Sequence, residues 1–181
     1  MKKLIALMLS LALLLGCACA VAETAEKTEI STLSVNGTFK LKGLIPEGYK
    51  LGIINQDSIG LTAIMGSSDA AKPQVTISIA FNEEYADLDR FNNVSEEDYE
   101  AIRESFTEEN DVTFEDRETA YGTKLLAVTE SPENGIEFMD VYTIYKGYEI
   151  EFVMTPGSEE LTEENMQMMI DFLSDLDFVE E

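Results

Sequence analysis

Apolar and polar residues alternate with a period of two through most of this chain, most regularly in Gln74–Phe81, QVTISIAF. Val75, Ile77, Ile79 and Phe81 take one phase; Thr76, Ser78 and Ala80 take the other. That spacing sends the two sets to opposite faces of a strand and predicts one face in a core. The same signal opens at residues 38–45, where Phe39 and Leu41 alternate with Lys40 and Lys42. Pro46-Glu47-Gly48 then reads as a turn, Pro setting φ and Gly permitting positive φ. YKLGIIN (49–55) and IGLTAIM (59–65) flank Gln56-Asp57-Ser58 and predict a hairpin; residues 66–73 read as a loop. Four further strands are expected, at 111–117, 123–130, 136–145 and 148–155. Lys146-Gly147 between the last two suits a tight hairpin turn. The stretch FMDVYTIY is apolar on both phases, with Phe138, Tyr142 and Ile144 on one and Met139, Val141 and Tyr145 on the other. A strand apolar on both faces belongs in mid-sheet with a layer above and below it.

Two segments change to helical spacing. Ser95 is placed to cap a helix, Asp98 stands three residues on, and Val94 with Tyr99 occupies the staple positions around that cap. Tyr99, Ile102 and Phe106 then share one face. Near the C-terminus Thr162 is the expected cap, Leu161 and Met166 the staple pair, and Met166, Met169, Ile170 and Leu173 the core stripe.

The order is four strands, a helix, four strands, a helix. Hairpin-length links imply an antiparallel sheet of about seven to eight strands, with the helices packed on it as an α+β sandwich spanning residues 35–181. A strand ending in Pro46, Gly48 and Tyr49, the antiparallel sheet, and a terminal helix running into Leu176-Asp177-Phe178-Val179 together resemble the Mog1/PsbP-like fold. Tyr49 stands where that fold often carries Trp. The chain also resembles small exported proteins of unknown function from gut Firmicutes. Members of the fold do unrelated work, GTPase binding and photosystem assembly among it, so the resemblance implies a fold and no site residue.

The N-terminus carries a different pattern. Lys2 and Lys3 precede an apolar run, residues 4–15, broken only by Ser10. This is the length of a signal-peptide core and too short to cross a bilayer comfortably. Two cleavage readings follow. Ala20-Val21-Ala22 is an A-x-A site, which makes residues 1–22 the signal peptide and removes both Cys17 and Cys19. Leu14-Leu15-Gly16-Cys17 resembles a bacterial lipobox, which would keep Cys17 as a lipid-bearing anchor. Cleavage after Ala22 is the favoured reading, leaving residues 23–34 as a polar tether. Either way the protein is expected outside the cytoplasm, in the cell envelope or extracellular. No later apolar run approaches the roughly 18 residues that a membrane helix needs.

Composition narrows the chemistry. With 36 Asp and Glu against 12 Lys and Arg, the chain carries a formal charge of −24, which loss of Lys2 and Lys3 takes to −26. Such a chain repels nucleic acid and anionic lipid; the acidity itself is that of a soluble exported protein. There is no His, which removes Ser-His-Asp catalysis, His-based zinc sites and haem ligation by His. Once Cys17 and Cys19 are lost, thiolate chemistry goes too. No cofactor and no metal are expected. The segment 87–98 places Asp87, Asp89 and Asp98 as in a calcium loop, but Phe91 and Asn92 fail two of its positions, and it reads as a loop and helix cap. Met166 and Met169 have core spacing rather than that of a copper site.

The expected function is that of an exported, non-enzymatic domain binding a protein or ligand partner at the cell envelope. Two alternatives stand beside it. One is a carboxylate-dependent hydrolase of glycosidase type, since paired acids suffice for that chemistry. The other is a lipoprotein accessory factor anchored through Cys17.

Overall fold

The computed structural model describes residues 33–107, 112–130 and 138–181. The signal segment, Cys17, Cys19 and the cleavage point after Ala22 lie outside the described residues, as does most of the expected tether.

Seven strands form one antiparallel sheet in the order β3-β4-β5-β9-β8-β7-β6. In chain order these are β3 (Tyr49–Gln56), β4 (Gly60–Ser67), β5 (Gln74–Phe81), β6 (Val112–Glu118), β7 (Lys124–Glu130), β8 (Phe138–Tyr145) and β9 (Tyr148–Thr155). A second, three-stranded sheet joins β1 (Ser34–Val35), β2 (Phe39–Lys42) and β10 (Asp177–Glu180). Two helices, α1 (Glu96–Thr107) and α2 (Glu163–Ser174), complete an α+β architecture. Of the strands expected from alternation, that of Phe39 and Leu41 is the one outside the main sheet.

The core sits on both faces of the main sheet. On the first face, Met65, Ile77, Ile150, Phe152 and Val141 are fully buried with Met169, Phe172 and Leu173 of α2. Phe172 meets Phe152 with ring centroids 6.3 Å apart. The small sheet covers the rest of this face. Phe39 packs edge-on against Tyr145 at 5.1 Å and Tyr148 at 5.5 Å, and the Tyr145 hydroxyl donates to the Phe178 carbonyl at 3.0 Å. On the second face, Ile102 of α1 closes over Leu126, Val128, Tyr142 and Ile144, with Tyr99 and Phe106 at its margin. Arg103 fixes the helix laterally, its guanidinium 4.6 Å from the Phe114 ring. β8 therefore has a layer on each side, as its two apolar phases require.

The caps and turns follow local chemistry. The Ser95 hydroxyl accepts the Asp98 N–H at 3.1 Å and donates to its carboxylate at 2.7 Å. Thr162 and Asn165 form a reciprocal capping box on α2. Lys146 and Gly147 both take positive φ, 52° and 78°, the geometry of a two-residue hairpin turn. Lys146 is also paired with Asp89 at 2.6 Å and Glu180 at 2.7 Å, which ties this turn to β10.

Four details differ from the sequence reading. Leu33 and Ser34, within the expected tether, belong to the fold: Leu33 is fully buried and Ser34 pairs with Lys40, because Asn36-Gly37 makes a turn at φ 51° and 69° that returns the chain along β2. Residues 177–180 form a strand, completing the small sheet beside β2. The α2 stripe is centred on Met169, Phe172 and Leu173, with Met166 and Ile170 only partly covered. Phe81, though in phase with Ile77 and Ile79, lies at the sheet's end and is exposed, edge-on to Tyr148.

Candidate functional site

Two features of the main sheet stand apart from ordinary packing: a carboxylate pair on its second face, and its β3 edge.

β9 alternates Tyr148, Ile150, Phe152 and Met154 into the first core with Glu149, Glu151 and Val153 on the opposite face. Glu149 and Glu151 thus project side by side, their Cα atoms roughly 6.5–7 Å apart by strand geometry. The ladder sets Tyr142 on one side of Glu151 and Ser78 on the other. The Tyr142 hydroxyl donates to Glu149 Oε1 at 2.8 Å. A 3-10 turn at Glu83–Tyr85, capped by Asn82, carries Tyr85 into the layer over Tyr142. Burial first, and the Glu149 charge second, push the Glu151 carboxyl up to about 7. Burial, Glu149 and the hydrogen bond to it likewise hold the Tyr142 phenol far above its ordinary value. Tyr85 is raised by burial and then by Glu149. The chemistry available here is a carboxyl that exchanges a proton near neutral pH beside a second carboxylate.

Two shallow clefts flank the sheet. One, of about 400 Å³, lies between β6–β8 and α2 and is lined by Glu115, Ala127, Met139, Met166 and Ile170. The other, of about 450 Å³, lies beside the start of α1, with Phe91, Tyr99, Asp116 and Lys124 in its wall. The Tyr99 hydroxyl bonds Asp116 there, and burial with that bond raises the Tyr99 phenol to about 12. Neither cleft contains Glu149 or Glu151.

The sheet's edges differ in character. β6 closes one edge with Glu115, Asp116, Arg117 and Glu118. β3 closes the other and is exposed along most of its length. Ile53 and Ile54 keep 48% and 47% of their surface, and Ile59, at the turn into β4, keeps 63%. The β3–β4 register slips between Ile53 and Asn55, a bulge that takes up Ile54. Asp57 closes the turn by accepting the Ile59 and Gly60 N–H groups at 2.9 and 3.0 Å.

The residues weighed from the sequence fall as follows. Asp89 pairs with Lys146 and Asp98 bonds the capping Ser95, so the calcium-like segment is spent on a turn and a helix start. Among the described residues no group of three or more acidic side chains is placed to hold a metal ion. Met169 is fully buried. Among the described residues no helix is long and apolar enough to cross a membrane. The Glu149/Glu151 pair was visible as polar phase in β9, but nothing marked the burial of the Glu151 carboxyl; the doubly apolar neighbour β8 was the available clue. Nothing in the sequence marked β3 as an edge, although adjacent Ile53 and Ile54 break its alternation as a bulge does.

No family model matches the chain, and no curated protein matches it. Among solved structures it is similar to the solution structure of cyanobacterial PsbP (CyanoP) from Synechocystis sp. PCC 6803. The match has a TM-score of 0.50 and 12% identity and covers 90% of this chain and 98% of that one. At that identity the likeness concerns the fold alone, and the chain has a PsbP-like α+β fold.

Proposed function

We propose that this chain is an exported, non-enzymatic docking domain of the cell envelope or extracellular space, which binds another polypeptide along β3. The observation that carries the reading is the β3 edge, which no strand among the described residues covers, with Ile53, Ile54 and Ile59 exposed beside it. An edge strand offers a row of unpaired N–H and C=O groups, and strand addition uses them for affinity while side chains supply selectivity. The PsbP-like fold supports the reading only as a scaffold that presents such an edge. Placing a photo-crosslinking phenylalanine analogue at Ile53, and separately at Glu118 on the opposite edge, tests it in the producing cell. A discrete adduct from position 53 and none from 118 is expected; adducts at 118 alone overturn the reading.

Export is part of this proposal, with Glu23 as the mature N-terminus. Intact mass of the native protein checks it. A diacylglyceryl group on Cys17 would instead make the protein the anchored lipoprotein accessory factor.

The raised Glu151 carboxyl favours a second reading, the carboxylate-dependent hydrolase. Against it, the pair lies outside both clefts, where a substrate would have to be held. Glycosidase activity abolished by Glu151→Gln would replace the docking reading with this one.

A further inference from the structure

The partner's chemistry is written in the charge of the two sheet edges. We infer that β3 pairs antiparallel with β3 of a second copy of this chain, joining two seven-stranded sheets into one. The inference rests on the docking reading and names its partner.

Charge supplies the first argument. Two copies of a chain at −24 repel over most approaches. The β6 edge makes this worse, with three acids against Arg117. The hairpin from Tyr49 through Ser67 contains only Lys50 and Asp57 as charged residues, so it is neutral. Of the two edges, β3 is therefore the one at which like copies meet without opposing charge. Its exposed side chains, Ile53 and Ile54, are also apolar and gain from leaving water.

Register supplies the second argument. A two-fold axis normal to the sheet, placed between Ile53 and Ile54, sets Gly52 opposite the partner's Asn55 and Leu51 opposite the partner's Gln56. It also sets Lys50 opposite the partner's Asp57, and repeats that opposite-charge pairing by symmetry. Residues directly opposite in a ladder share a face. In a regular strand, residues an odd number apart lie on different faces, and this register would fail. The bulge corrects the phase. Gly52 and Asn55 pair with Ile64 and Thr62 of β4, on one face, whereas Leu51 and Gln56 pair with Met65 and Leu61, on the other. The irregularity in β3 thus makes the strand complementary to itself.

The test uses residues 23–181, which include every described element. Sedimentation velocity from low to high micromolar concentration at moderate salt should show a dimer. Ile53→Lys with Ile54→Lys should weaken it by at least roughly tenfold while circular dichroism and cooperative melting persist. A wild-type chain that stays monomeric throughout overturns the inference and leaves the docking reading to the crosslinking test. A dimer that survives in the folded double-lysine variant also overturns it. Should that variant not fold, the pair Gly52→Cys and Asn55→Cys decides. Residues 23–181 contain no other cysteine. Oxidation should therefore trap a covalent dimer, and a product that remains monomeric counts against the pairing.

Discussion

Ile77 and Phe152 face each other across β5 and β9, and both are fully buried. Truncating either to Ala removes a large side chain from a packed core, with an expected cost of about 2–5 kcal/mol. Their direct contact makes the double variant non-additive. Thr76→Ala, on the opposite phase, should cost far less; urea melts of the variants check the ordering. Glu151 gives a different test at this scale. Its folded carboxyl titrates at about 7, above the ordinary value of 4.5, because burial and the Glu149 charge disfavour ionisation. Between those values the folded state binds more protons than the unfolded state, so stability falls as pH rises. The contribution is fully present below about pH 4.5 and lost through about pH 7. Glu151→Gln should remove this part of the slope. Relative to the wild type, the variant should gain stability between pH 5 and 8, on the order of 1–3 kcal/mol. Parallel pH profiles for the two proteins would refute the assignment.

At the scale of elements, two glycines in similar turns separate backbone preference from crowding. Gly37 has φ 69° and open space where a Cβ would stand. Gly147 has φ 78°, and a Cβ there would meet Phe81 Cε2 at 3.0 Å and Ala86 Cα at 3.1 Å. Gly37→Ala should therefore cost only the left-handed penalty, about 1–2 kcal/mol. Gly147→Ala should cost more, because the 3-10 turn at Glu83–Tyr85 and the end of β5 must also move; thermal melts distinguish the two. Comparing these turns explains which elements could be read from the sequence. Lys146-Gly147 joins two long strands, β8 apolar on both phases and β9 alternating, so its turn was legible from both sides. Asn36-Gly37 joins Ser34–Val35 to Phe39–Lys42, and a two-residue strand has no alternation to display. β10 was hidden likewise: its four residues follow α2 directly and take strand form only because β2 offers an edge. β4, β5 and β9 were legible because each buries one phase, and β8 because its apolar run buries both. Their order was not, since which strand ends the sheet depends on pairings between residues far apart in the chain. The β3 edge and the enclosure of Glu151 both belong to that hidden part.

For the whole molecule the controlling quantity is charge. With 36 acidic and 12 basic residues, repulsion among carboxylates outweighs the ion pairs seen among the described residues, such as Lys146 with Asp89 and Glu180. Exposed pairs of that kind are weak, because water and salt screen them. Folding brings the acids closer than they stand in the unfolded chain, so the repulsion opposes the compact state. Salt screens it, the Debye length shrinking from about 30 Å at 0.01 M to about 3 Å at 1 M. Sodium chloride should therefore raise the melting temperature of this protein. The largest rise should come below roughly 0.15 M, where the screening length falls to about 8 Å. Chloride is the better choice because sulfate also strengthens apolar burial, which would raise the melting temperature of a neutral protein too. The same series measures association. If like charge limits the approach of two copies at β3, the dimer should tighten with chloride over the same interval. A melting temperature that fell with added chloride would mean that local ion pairs dominate. The repulsive account of the acidic surface would then have to be abandoned, and the charge argument for β3 pairing with it.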